Sequence, residues 1–212
     1  MYYTDRIEEL KKLLQEPLPG VEAQNKMAAR ARMLPLEVPE NVRQSAVLGL
    51  LYPQNDILNL LLIKRTEDGK PHSGQISFPG GRQDPIDKDL QETALRETFE
   101  EVGVPSGQIE VIGALSSLYI PVSNNNVHPF VGFASHRPDY VLNADEVQYV
   151  LEVPLHELLT EEKKTIQEIR PSSMPHLTIK APAYRWDDDH LIWGATAMMI
   201  AELEEVLRAN PF

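Results

Sequence analysis

Apolar positions change their period along the chain, and the changes mark out its elements. Over 5–16 they fall at Ile7, Leu10 and Leu14 on one face of a helix. Asp5 and Glu8 have capping-box spacing, and Pro17 and Pro19 end the run. The stretch 17–44 is punctuated by prolines and leaves room for a short helix over 24–33. The pattern then turns β-like. Runs at 45–52 (SAVLGLLY) and 57–64 (ILNLLLIK) flank the turn-forming PQND, as in a hairpin or two adjacent strands. A short strand is expected at 75–78, stopped by Pro79-Gly80-Gly81, and further strands at 109–115, 129–134 and 147–153. Helices are expected at 89–102, 161–169 and 195–207, and polar loops at 66–74 and 119–126. Strands on both sides of an internal helix predict an α+β sandwich. The main domain is expected over 43–212, with 1–42 as a helical or extended N-terminal extension packed on it.

Composition narrows the function. A 42% hydrophobic share is that of an ordinary globular chain. Acidic residues outnumber basic ones 32 to 20, for a net charge of -12. A nucleic-acid partner needs a basic face, and an anionic membrane surface would repel this chain. With no Cys, disulfides, thiolate catalysis and Cys-based zinc sites are excluded. The six His lie far apart without an H-x3-H pair, and Asp187-Asp188-Asp189 lacks the Gly and Glu of a calcium loop. The opening MYYTDRIEELKK lacks the cationic-then-apolar order of a signal peptide, and the longest uncharged apolar stretch, 191–201, is too short to span a bilayer. A cytoplasmic protein acting on small molecules is the expectation.

The candidate chemistry lies in 77–104. On the helical wheel Leu95, Phe99 and Val102 share one side, while Glu97, Glu100 and Glu101 crowd the opposite one. Carboxylates at that spacing repel by a few tenths of a kcal/mol (about 0.2–0.5) per exposed pair. A divalent cation relieves the repulsion, and hard oxygen donors suit Mg²⁺. A solvated polar face explains the same wheel equally simply. The approach tips the balance: Phe78-Pro79-Gly80-Gly81 is an apolar anchor, a turn and two residues without side chains, which allow backbone to approach an ion closely.

Taken together these residues resemble the Nudix box, G-x5-E-x7-R-E-U-x-E-E-x-G-U with U aliphatic. Gly81 opens the match, and Arg96-Glu97-Thr98-Phe99-Glu100-Glu101-Val102-Gly103-Val104 closes it. The early acidic position falls on Asp87 instead of Glu, its interval to Arg96 is one residue longer, and Thr98 replaces an aliphatic residue. The resemblance implies a Nudix-fold α/β/α sandwich with a mixed β-sheet and a helical N-terminal extension. It implies diphosphate hydrolysis with Mg²⁺ or Mn²⁺ on Glu97, Glu100, Glu101 and the Gly81 carbonyl. Catalytic roles fall on Glu97, Glu100 and Arg96, with Glu97 the first candidate for general base. Arg96 either orients a neighbouring Glu or forms a surface pair with Glu92 or Glu100. Glu146 is either a distal ligand or base, or a solvated residue.

Residues 60–81 also resemble the segment that marks the coenzyme A diphosphatase branch of this family. Arg65, Gly74, Phe78, Pro79, Gly80 and Gly81 match; Lys70 replaces a second Arg, and so offers a point charge instead of a planar fork. The branch implies hydrolysis of coenzyme A or acyl-coenzyme A to 3′,5′-ADP and (acyl-)4′-phosphopantetheine. Arg65, Lys70, Lys64, His72 and Gln75 are then the substrate-binding candidates. ADP-ribose or a dinucleotide as substrate, or a non-catalytic nucleotide-binding module, are the alternatives. The N-terminal extension is free to cover the site or a dimer contact, which leaves a homodimer open.

Overall fold

The computed structural model describes residues 2–29, 37–67, 73–170 and 176–208. The N-terminal pattern folds as α1 (Tyr2–Leu13), α2 (Gly20–Gln24) and one 3-10 turn at Asn25–Met27. The single helix expected over 24–33 is therefore not formed over its first residues, and 30–33 lie outside the described residues.

Strands β1 (Arg43–Gln54) and β2 (Ile57–Arg65) form the expected antiparallel hairpin. Asn55 and Asp56 turn the chain at φ of 50° and 62°, a conformation those two residues accept more readily than most. Next come β3 (Ile76–Ser77), β4 (Gly80–Arg82), helix α3 (Leu90–Val102), β5 (Glu110–Ala114), β6 (Leu118–Ile120), β7 (Asn125–Phe133) and β8 (Val147–Pro154). These strands make one mixed sheet with the path β3-β2-β1-β7-β5, to which β4, β6 and β8 add through β1, β7 and β2. Among the described residues only the β1–β7 pair is parallel. The remainder is α4 (Leu155–Leu158), β9 (Lys164–Ile169), β10 (Ile179–Arg185), β11 (Leu191–Trp193) and α5 (Gly194–Arg208), with β11-β10-β9 forming a second antiparallel sheet.

The period of two explains the layers. Ala46, Leu48, Leu50 and Tyr52 of β1, with Leu61 and Ile63 of β2, face α3 through Ala94 and Val102. Leu51, Leu60 and Leu62 face the other way, toward Met198, Met199 and Leu203 of α5, Ile7 and Leu10 of α1, and Leu14 just after it. Burying a Leu or Ile side chain contributes about 1.5–3 kcal/mol, so β1 and β2, buried on both faces, anchor both layers. Glu202 of α5 is fully buried and accepts hydrogen bonds from Gly20 N (3.2 Å), Ser116 N (3.1 Å) and Gln24 Nε2 (2.9 Å), which tie α2 to the same layer.

Three expectations are corrected. The helix expected at 161–169 is a 3-10 turn at Glu161–Lys163 followed by β9. Thr165, Ile166 and Ile169 are β-branched, and pairing with β10 outweighs the helix-forming glutamates. The loop expected at 119–126 is mostly β6, a 3-10 turn and the start of β7, because Asn124 at φ 48° reverses the chain tightly enough for Ile120 to pair with Asn125. On α3 the Leu95–Phe99 side is not the core face: Phe99 is 54% exposed, whereas Thr93, Ala94, Thr98, Glu101 and Val102 are buried. Strands β10 and β11 carry no strong alternation, and the sequence pattern did not announce them.

Candidate active site

Helix α3 starts at Asp89, whose side chain accepts from Glu92 N at 2.8 Å, and stops at Gly103 in the left-handed region. Those two ends fix its register above β4. Gly81 pairs with Ala46 of β1, and its Cα lies directly beneath Glu97. A Cβ at Gly81 would sit 2.4 Å from the Glu97 carboxyl carbon, so only glycine lets the carboxylate approach the bend. Gly80 has φ 149°, and a Cβ there would lie 2.3 Å from the Ala46 carbonyl oxygen. Its N–H donates to Glu101 Oε2 at 2.8 Å.

Two arginines divide the carboxylates. Arg96 donates to both oxygens of Asp87, from Nε to Oδ1 at 2.8 Å and from Nη2 to Oδ2 at 3.0 Å. Its Nη1 donates to Glu97 Oε1 and to Glu100 Oε2, each at 2.9 Å, and its Nη2 also donates to the Arg82 carbonyl. Arg96 thus contacts Glu97 and Glu100 at once from a side chain that is largely buried. Asp87, the unusual acid of the motif, is its buried anchor. Arg65 Nη1 donates to Glu101 Oε1 at 3.0 Å, and the Glu101 side chain is only 1% exposed.

Burial and crowding set the charges. Glu101 is pushed up to about 7, chiefly by desolvation, against which Arg65 and the Gly80 N–H act; Glu97 and Glu146 raise it further. Glu97 is raised by desolvation and by Glu100 and Glu146, with Arg96 opposing. The Arg96 hydrogen bonds hold the Asp87 carboxyl well below the usual carboxylate range. Glu146, exposed just before β8, therefore adds its charge to this corner. Nothing in its own neighbourhood of sequence signals this; β8 pairs with β2, the strand that carries Arg65.

The remaining candidates separate. Lys64 and Arg65 are consecutive on β2 and face opposite sides of the sheet: Arg65 is opposite buried Val147 on the α3 side, Lys64 opposite Tyr149 on the other. Gln75 contributes its carbonyl, which accepts from Arg65 N at 3.0 Å and fixes the backbone that presents Arg65. Lys70 and His72 lie outside the described residues.

The donor set fits a hard divalent cation in chemistry: carboxylate oxygens, a side-chain-free bend, and mutual repulsion that a cation relieves. Glu97 Oε2 and Glu100 Oε1 make no hydrogen bond among the described residues, whereas both Glu101 oxygens are engaged. As the side chains lie, no three or more His, Asp or Glu among the described residues stand preassembled around one ion position. No helix among them is long and apolar enough to cross a membrane.

This architecture has counterparts among known proteins. The NUDIX domain family matches residues 42–190. An uncharacterised Nudix hydrolase, NudL, of Yersinia pestis (strain Pestoides F) is 36% identical over 146 residues, 69% of this chain and 71% of the relative. The Nudix hydrolase RenU of M. smegmatis has a TM-score of 0.55 at 16% identity, covering 80% of this chain and 88% of its own. A MutT/nudix family protein of Enterococcus faecalis has 0.52 at 20% identity, covering 80% and 64%. Those two likenesses bear on fold alone, and they agree with the mixed-sheet sandwich. The chain belongs to the Nudix family. It is a hydrolase acting on pyrophosphate bonds.

Proposed function

We propose that the enzyme hydrolyses the diphosphate linkage of coenzyme A or its thioesters, releasing 3′,5′-ADP and (acyl-)4′-phosphopantetheine. The observation that carries the reading is the meeting of Glu97 and Glu101 at the Gly80–Gly81 bend, with Arg65 on the same face of the sheet. The coenzyme A assignment rests on the likeness of 60–81 to that branch of the family. Glu97, Glu100, Glu101 and the Gly81 carbonyl would hold Mg²⁺ or Mn²⁺. When bound, the ion supplies neutralisation of the diphosphate charge and a water of lowered pKa. Glu97 is the base, taking a proton on the oxygen that Arg96 leaves open. Arg96 holds Glu97 and Glu100 in orientation, and Arg65 presents its guanidinium to phosphate oxygens. Lys70 and His72 remain substrate-binding candidates from the sequence, while Lys64 is turned to the other sheet face.

Lys70 in place of a second Arg favours one competing reading, a nucleoside diphosphate derivative without a 3′-phosphate, such as ADP-ribose or a dinucleotide. Incubation with coenzyme A, dephospho-coenzyme A and ADP-ribose in ¹⁸O-water, followed by mass spectrometry, separates the readings and shows which phosphorus is attacked. Metal-dependent release of 3′,5′-ADP, abolished in Glu101→Gln, is the expected result. Its absence with active cleavage of ADP-ribose would overturn the coenzyme A assignment.

A further inference from the structure

The two arginines of the site are held in very different ways. Arg96 has a bidentate grip on buried Asp87, bonds to Glu97 and Glu100, and a bond to the Arg82 carbonyl. It cannot leave without breaking all of them. Arg65 has one side-chain hydrogen bond among the described residues, to Glu101, and its side chain is 32% exposed. Glu101 cannot follow it outward, because the carboxylate is buried and its second oxygen is held by Gly80 N. The backbone of Arg65 is fixed in the sheet through Gln75, so only its side chain can swing. Lys64 faces the other side and cannot take its place.

We infer that Arg65 is an interchangeable counter-ion: it neutralises Glu101 in the cation-free enzyme, is displaced when a divalent cation takes that carboxylate, and is thereby released to grip the substrate's phosphates. This rests on the reading of Glu101 as a cation ligand. A buried carboxylate needs a partner at all times, since one left alone in a site of low dielectric is costly. A guanidinium and a divalent cation on the same carboxylate repel each other at close range, and the doubly charged ion holds the oxygen more strongly. The planar fork that Arg65 withdraws from one carboxylate matches phosphate oxygens equally well. Cation loading and phosphate binding are then linked through a single side chain, and the cation precedes the substrate's full grip.

The test is calorimetric titration of Mn²⁺ into the full-length wild-type, Arg65→Gln and Arg65→Met proteins, with folding checked by circular dichroism. Losing the competitor should tighten Mn²⁺ binding by about fivefold or more in either variant. Titration of 3′,5′-ADP into the Mn²⁺-loaded proteins should show weaker binding in the variants by about tenfold. Arg65→Met keeps an apolar stem and decides the matter if Arg65→Gln fails to fold. Unchanged or weaker Mn²⁺ binding in a folded variant overturns the inference while leaving the cation site standing. Failure of the wild type to bind Mn²⁺ at all overturns the cation site itself, and the inference with it.

Discussion

Asp87 holds Arg96 through both carboxylate oxygens, at 2.8 and 3.0 Å, from a side chain that is 1% exposed. Asp84 N and the Thr93 hydroxyl donate to Asp87 as well. The loop before α3 and the helix itself are joined through this one carboxyl. Asp87→Asn should cost about 3–5 kcal/mol, as expected when one partner of a buried pair is removed. Chemical denaturation measures that loss. Turnover should fall too, because Arg96 then orients Glu97 and Glu100 less firmly.

The same pair sets an acid limit. The folded protein holds Asp87 ionised below the usual range. Its contribution is complete above the unfolded-state value of roughly 3.9 and is lost as pH falls through the lower, folded value. Melting temperatures from pH 7 down to the acid limit should therefore show the gap between wild type and Asp87→Asn closing only at strongly acidic pH. A gap independent of pH would point to packing instead of charge.

The two glycines of the bend should fail differently. Gly80→Ala drives a Cβ against the backbone at Ala46 and Val47 and demands φ 149° of an alanine, so little folded protein is expected from expression. Gly81→Ala has its closest clash with the end of the Glu97 side chain, which can move aside. That variant should fold, with a melting temperature within a few degrees of wild type (about 1 kcal/mol or less). Its kcat should nevertheless drop by about a hundredfold, because the displaced group is the proposed base.

Glu202, on the far side of the sheet, separates stability from activity. Glu202→Ala leaves Gly20 N, Ser116 N and Gln24 Nε2 without their buried acceptor. A loss of about 3 kcal/mol is expected, or on the order of 10 °C in melting temperature. Limited proteolysis should then cut first in the N-terminal segment, while turnover per folded molecule at permissive temperature stays as in wild type.

The sequence pattern disclosed α3, the hairpin and the glycine bend because each has a strong local signature: the helical spacing of apolar and acidic residues over 95–102, PQND between apolar runs, and Pro79-Gly80-Gly81. It misplaced β9 because Glu161-Glu162-Lys163-Lys164 favour helix locally while the strand partner, β10, carries no strong alternation of its own. Glu101 was the deeper difficulty. A helical wheel assigns charge to solvent, and the burial of Glu101 against the sheet follows only from partners elsewhere, Arg65 on β2 and the N–H of Gly80. Lys64 and Arg65 looked like one cationic group in the linear sequence, and the pleat divides them. Phe99 looked like core and lies exposed, because Ala94, Thr98 and Val102 set the inward side of the helix.

Five carboxylates, on Asp87, Glu97, Glu100, Glu101 and Glu146, share two guanidinium groups in one corner of the molecule. The packing of β1 and α3 therefore works as a clamp on a local surplus of negative charge. Added electrolyte alone should relax that self-repulsion, so an ion-stripped preparation will melt earlier in dilute buffer than in moderate salt. The corner most exposed to chelation is then also the corner where buffer composition will decide how robust the purified protein looks.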